Sequence, residues 1–262
     1  MQEYATITVE KIGHVGRVRL NRPDKMNSFD TTMRQEFVEA AREVNADPEI
    51  FVVLLGSHGR AFSAGADLSE ENAFVNGEAV EDFLNLEYKP GILSIRQSRK
   101  PWIAVINGPC AGIGYSYAMA CDLAVMADDA FLYQPFAAIG LVPDGGATWL
   151  LPQLVGARRA YELMMLGEKL VAEKALEWGM VNRVYRAASL QEDALAFATD
   201  FASRSPLAMR YTKEGLNYAA NHSLEESISK EAALQKICID SEDARNAVAA
   251  FMNKQQPEWK GR

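Results

Sequence analysis

Cysteine is scarce. There are three in 262 residues, Cys110, Cys121 and Cys238, an odd number without the paired spacing of a metal site, so neither a disulfide framework nor a zinc centre is expected. A chain of this length can bury a core without such staples. Basic residues are also in the minority. Lys and Arg total 27 against 35 Asp and Glu, a formal charge of −8, and no run of cations supplies the phosphate neutralisation that duplex binding requires. Nucleic acid is not an expected partner. The opening Met1-Gln2-Glu3-Tyr4 lacks a basic region followed by an apolar stretch, so no signal or transit peptide is expected, and a reducing cytoplasm fits the cysteine usage. Long uncharged runs are few. Residues 101–121 reach the length of a bilayer span, but Asn107-Gly108-Pro109 breaks them in the middle and Gly112 and Gly114 follow. The stretch reads as a buried strand, a tight turn and a buried helix, with no membrane as partner.

What is present is the profile of an ordinary globular protein, 48% hydrophobic and 24% charged. Ala5, Ile7 and Val9 alternate with polar neighbours, and Val15 to Leu20 does so again after Gly13, which predicts a β-hairpin. From Asp30 the apolar positions Met33, Phe37, Ala40, Ala41 and Val44 take helical spacing up to Asp47-Pro48. Ile50 to Leu55 and Pro101 to Ile106 are continuous apolar runs, the mark of strands covered on both faces. Leu123 to Ala127 and Ala130 to Tyr133 add two strand candidates after a small-residue helix around Tyr115 to Cys121. Strands and helices alternate, so the class is α/β. Beyond Gly156 the period is almost entirely helical, with Leu190, Ala194, Phe197 and Phe201 on one face and Pro206 placed to begin a helix. The acidic stretch 69–88 is weakly patterned and is expected to form a mobile loop and a short helix.

Three segments concentrate small residues where strands should end: Ala61 to Leu68, Asn107 to Gly114, and Gly140 to Gly146. In open α/β proteins such turns line the ligand crevice. Amides exposed at turns and helix starts can donate to a developing anion, and glycines let a ligand approach them.

Together and in this order these segments resemble the crotonase (enoyl-CoA hydratase/isomerase) family. Leu20-Asn21-Arg22-Pro23 with Asn27-Ser28-Phe29 is similar to the family's opening. Arg60 to Leu68 is similar to its first signature and Pro101 to Asp122 to its second. Ala175 to Val181 and Ser241 to Phe251 match downstream. The resemblance implies an α/β fold, a crotonase-like spiral of ββα turns spanning 1–200. It also implies a C-terminal helical trimerisation region at 201–262, which would build a homotrimer or homohexamer. It implies an acyl-CoA thioester as substrate, with coenzyme A part of that substrate and no separate cofactor or metal. By position, the two backbone N–H groups that grip the thioester oxygen belong to Ala66 and Ile113, the latter standing where many members have glycine. Donors placed at such an oxyanion are worth roughly 3 to 4 kcal/mol each. The resemblance further places Arg22, Lys25 and Met26 on the nucleotide side. It sets Ala64, Asp67 and Leu68 near the adenine and pantetheine, with Phe251 and Lys254 reaching in from the C-terminal helix. Lys25 and Lys254 are the better candidates for phosphate contacts. Asn246 departs from the acidic residue often found at its position.

The departures point to the reaction. The two glutamates of the family's hydratases fall on Ser116 and Phe136, neither of which can exchange a proton as a carboxylate, so hydration is expected to be weak or absent. Asp144, in Gly-Leu-Val-Pro-Asp-Gly-Gly, resembles instead the isomerase branch. That branch includes Δ3,Δ2-enoyl-CoA isomerases and the ring-1,2-epoxyphenylacetyl-CoA isomerases. One base suffices for a 1,3-proton shift, and apolar neighbours such as Leu141, Val142, Phe136 or Trp149 would raise its pKa. The competing role for Asp144 is to cap the helix entering Ala147 to Leu151. Tyr88, Phe83, Leu86, Phe136, Tyr133 and Trp149 are candidates for an acyl pocket. Two rival functions remain. Ser116, Asp144 and His222 follow the chain order of a serine hydrolase, but Gly-Tyr-Ser-Tyr-Ala only approaches its elbow. A noncatalytic acyl-CoA- or RNA-binding relative is the other, against which the acidic charge argues.

Overall fold

The structure, a computed structural model, describes residues 2–70 and 76–262. Strands β1 (Ile7–Ile12) and β2 (Val15–Leu20) pair antiparallel across the Gly13-His14 turn, as their alternation predicts. Asp30 then caps α1 (Thr31–Ala46) by accepting from the Met33 amide, and Met33, Phe37, Ala40, Ala41 and Val44 form the buried face. Strands β3 (Val52–Ser57) and β4 (Trp102–Ile106) are buried at every position. Between them Gly77–Phe83 (α2), a π-helical turn over Leu84–Tyr88, and Lys89–Arg96 (α3) follow one another directly. The loop and short helix expected at 69–88 are thus largely helix from 77 onward, and residues 71–75 of that stretch lie outside the described residues.

Two residues, Cys110–Ala111 (β5), lead into α4 (Gly112–Ala120), and β6 (Leu123–Ala127) and β7 (Phe131–Tyr133) follow. All nine residues of α4 are buried. A helix without a charged residue on any side has no face to offer water and becomes the interior element that others pack around. Tyr117 shows the packing. Its ring stacks on Phe29 at 4.6 Å and meets Phe37 edge-on at 4.8 Å.

Helices α5 (Ala147–Val155) and α6 (Ala157–Leu166) come next. The helical pattern read beyond Gly156 is interrupted twice, by β8 (Leu170–Val171) and by β9 (Arg183–Tyr185), with α7 (Ala172–Glu177) between them. Strands of two and three residues are too short to carry a period, so pairing recruits them where pattern cannot announce them. The main sheet runs β1-β2-β3-β4-β6-β9, parallel from β2 onward, and β5-β7-β8 form a small second sheet. Helix α8 (Leu190–Ala202) lies across β2, β3, β4 and β6, so the junction read after residue 200 falls in its last turn. The tail is helical: α9 (Pro206–Ala219), α10 (Leu224–Ile239) and α11 (Glu242–Met252). No helix among the described residues is long and apolar enough to cross a membrane.

Candidate active site

The segments that follow β3 and β4 are held side by side by their backbones. Ser63 and Cys110 form a parallel bridge, the Ser63 amide donates to the Pro109 carbonyl at 3.2 Å, and the Ala111 amide to the Ser63 carbonyl at 2.8 Å. The approach leaves no room at Gly114, where a Cβ would stand 2.4 Å from that of Ser63. On the other side Phe29 clamps the same loop. Its amide donates to Gly65 and its carbonyl accepts from Asp67, at 2.8 and 3.0 Å. The Gly65 amide is taken by the Ser63 hydroxyl at 3.1 Å. Ala66, between two bonded neighbours, donates to no described residue. Ile113 is the second residue of α4, whose first turn has no side-chain cap, so its amide is among those a helix start leaves without a partner. Both residues line one cavity of about 180 Å³.

Asp144 lines the same cavity. Its Oδ1 is buried with no hydrogen-bond partner among the described residues, and burial pushes the carboxyl up to about 6. The apolar walls that do this belong to Phe136, Leu141 and neighbouring Ile139. Val142 and Trp149, expected to contribute, do not line the cavity. Val142 is 72% exposed, and Trp149 turns outward under the Arg96 guanidinium. Nor does the Asp144 side chain cap α5, which begins after Gly146 without a side-chain cap. Asp144 contributes its carbonyl instead. That carbonyl accepts from the Ala147 amide at 3.1 Å and from the Ser116 hydroxyl at 2.9 Å. The carboxyl takes no ion pair, and only its own backbone amide works against the rise in its pKa. Gly145 makes this turn possible, since its φ is +61° and a Cβ there would meet Ile113 Cδ1 at 2.3 Å.

The other residues read from sequence divide into four groups. Ala64, Leu68 and Phe136 line the cavity, as do Tyr88 and Phe83 from the acyl candidates. Lys25 is exposed and Met26 accepts the Ala64 amide through its carbonyl at 2.9 Å, which sets both beside the cavity's outer loop. Arg22 and Asp67 spend their charges on each other. Arg22 reaches Asp67 at 3.0 Å and Asp30 at 3.1 Å. Against burial, which works the other way, the Ser69 hydroxyl and amide and then Arg22 hold the Asp67 carboxyl down at about 2. Their evident part is to brace the loop. Ser116 is fully buried behind Asp144 and, like Leu86, Tyr133 and Trp149, is not in the lining. Phe251 and Lys254, at the exposed end of α11, are not in it either.

Ser116 donates to a backbone carbonyl and His222 pairs with the Tyr218 carbonyl at the end of α9, so the serine hydrolase arrangement does not form. Among the described residues no group of His, Cys, Asp and Glu could hold a metal ion. Sequence reasoning missed Arg34, which lines the cavity with its side chain 4% exposed, paired to Glu70 at 2.9 Å and to Glu87. A signal existed. Arg34 sits three residues before Phe37 and seven before Ala41, on the apolar stripe of α1.

Residues 10–262 match the family described as "Enoyl-CoA hydratase/isomerase". The chain is 34% identical to the 1,2-epoxyphenylacetyl-CoA isomerase of Escherichia coli K12 over the whole of both chains. It is also 34% identical to the carnitinyl-CoA dehydratase of Proteus mirabilis, across 95% of this chain and 96% of that one. Among solved structures, the enoyl-CoA hydratase of Bacillus anthracis superimposes with a TM-score of 0.94 at 31% identity, covering 98% of this chain and all of that one.

Proposed function

The chain belongs to the enoyl-CoA hydratase/isomerase family and has the crotonase fold, and on that premise we propose that it is an acyl-CoA isomerase that converts a 3-enoyl-CoA to the 2-enoyl-CoA. The observation that carries this reading is the state of the carboxylates in the cavity. Glu70 and Asp67 reach it too, but each is ion-paired to an arginine. Asp144 is the one lining carboxylate among the described residues with no ion pair, and it is the one whose pKa stands above its ordinary value, because nothing offsets its burial as Arg22 and Arg34 do for Asp67 and Glu70. A base near 6 is strong enough to take a carbon-bound proton acidified by a thioester, and is still mostly ionised at neutral pH.

The steps balance with that single group. The thioester oxygen sits against the Ala66 and Ile113 amides, Asp144 removes a proton from C2, and the C–H electron pair moves into the enolate stabilised by those amides. The electrons then return through the C3–C4 double bond, which becomes C2–C3, while Asp144 delivers the proton to C4. Nothing is added or lost. Water addition would need a second acid or base, and the positions where the family resemblance puts the hydratase glutamates hold Ser116 and Phe136, one buried behind the cavity and the other apolar. Coenzyme A would enter past Ala64 and Leu68, with Lys25 for a phosphate and Lys254 from the C-terminal helices. The substrate carries the only coenzyme the proposal needs.

A second reading keeps the same base and changes the substrate to a ring-epoxide acyl-CoA, like that named for the E. coli relative. The aromatic walls Phe83, Tyr88 and Phe136 favour it. The deciding experiment follows a 3-enoyl-CoA by absorbance and mass. Product of unchanged mass, with kcat about 10²- to 10⁴-fold lower in Asp144→Asn, is expected. A gain of one water, or full activity in the variant, would sink the proposal.

A further inference from the structure

The cavity holds a polar group that the proton shift does not use. Tyr88 closes the π-helical turn Leu84–Tyr88, and its side chain lines the cavity with the residue 6% exposed. Such turns displace one residue from the helical register and recur at functional sites. The Arg34 guanidinium lies 5.1 Å from the ring centroid, and Arg34 Nη1 donates to Tyr88 Oη at 3.4 Å. One lone pair of the phenol is thereby taken. Its own proton finds no acceptor among the described residues, and the Tyr88 backbone is tethered by the Tyr117 hydroxyl, which donates to its carbonyl at 3.5 Å. Arg34 is locked in turn by Glu70, Glu87, Thr31 and the Phe29 carbonyl. Burial pushes the Tyr88 phenol up to about 12, with Arg34 working against it, so the group stays a donor at any ordinary pH.

A fixed O–H facing a pure hydrocarbon chain would lose the hydrogen bond it made to water and gain none, whereas an acceptor oxygen on the acyl group would restore it. A carboxylate end is disfavoured by the same surroundings, because Arg34 is already neutralised and one negative charge is left over on Glu70 and Glu87 together, and an ammonium end has no lone pair to accept the Tyr88 proton. We infer that the acyl group for which this cavity is shaped carries a neutral acceptor oxygen beyond its thioester, an ether, epoxide or hydroxyl, and that the Tyr88 hydroxyl donates to it. This rests on the acyl-CoA reading of the cavity but not on Asp144 as its base.

The test is a binding comparison among three inert acyl-CoAs of one length: pentanoyl-CoA, ethoxyacetyl-CoA with oxygen at position 3, and 3-methoxypropanoyl-CoA with oxygen at position 4. Isothermal titration of wild type and Tyr88→Phe gives the ether-to-pentanoyl affinity ratio in each. For at least one ether that ratio is expected to fall about 3- to 10-fold in the variant. Equal ratios in both proteins for both ethers would overturn the inference and leave the isomerase reading standing. No binding of any of the three by wild type would overturn both, and loss of 3-enoyl-CoA turnover with the ratio shift intact would sink the isomerase reading alone.

Discussion

Asp144 is costly to the folded chain at the pH where it would work. Its carboxyl titrates near 6 when folded against an ordinary 3.8. Between those values the unfolded chain has released this proton while the native chain still holds it, so stability falls as pH rises from about 4 to 6 and stays lower above. The two-unit gap corresponds to about 3 kcal/mol. Asp144→Asn is therefore expected to melt higher than wild type at pH 7.5 and to lose most of that advantage at pH 4.5. Calorimetry at the two values checks it, and an advantage independent of pH would mean the carboxyl is not buried as described. The activity profile should rise through the same pKa, since only the ionised form accepts a proton. Ser116 belongs to the same argument as a positioning residue. Its hydroxyl holds the Asp144 carbonyl from behind, so Ser116→Ala should lower kcat by about 10-fold with KM little changed. A change in KM alone would place Ser116 in binding instead.

Elements matter here chiefly through their ends. The loop after β3, the start of α4 and the turn before α5 converge because two close approaches exclude side chains, at Gly114 against Ser63 and at Gly145 against Ile113 and Ser116, and because Gly65 takes a φ of +102° beside the Ala111 carbonyl. Gly145→Ala adds a collision to a left-handed φ of +61°, and it is expected to cost about 2–4 kcal/mol. Chemical denaturation checks the stability and the 3-enoyl-CoA assay checks the activity, which should fall beyond what the loss of folded protein explains. Arg22 is read in the same way. Because it bridges Asp30 at the start of α1 to Asp67 in the amide-bearing loop, Arg22→Ala should loosen that loop and lower turnover rather than merely weaken coenzyme A.

At the scale of the molecule, the C-terminal helices are tied to the sheet through a buried cation. Lys213 of α9 donates to Asp122 at 2.7 Å and to the carbonyls of Ile95 and Lys100. Removing one partner of such a pair strands the other, so Lys213→Ala is expected to cost about 3–5 kcal/mol, read by denaturant unfolding. The same helices leave Leu216, Ile228 and Val248 more than half exposed. Such side chains are what an interface between copies of the chain would cover, and light scattering is expected to give three or six times the mass of one chain. A single-chain mass would remove the trimer and hexamer from the proposal.

The amino-acid sequence by itself determined the elements whose residues repeat at a period long enough to read: the hairpin, α1 with its Asp30 cap, the two fully buried strands and the Pro206 helix start. It also determined which three segments meet at the cavity, because glycine and small residues at strand ends have a local cause. Only the tertiary structure decided what the side chains in those segments do. Whether Asp144 caps a helix or faces a cavity depends on which of its oxygens Ser116 and Ala147 claim. Whether Arg22 and Asp67 meet a ligand or each other depends on a contact across 45 positions of chain. Strands β8 and β9 are too short to have a period, and Arg34 and Tyr88 meet from elements 54 residues apart. Pattern is a property of neighbours along the chain, whereas desolvation and pairing depend on neighbours in space.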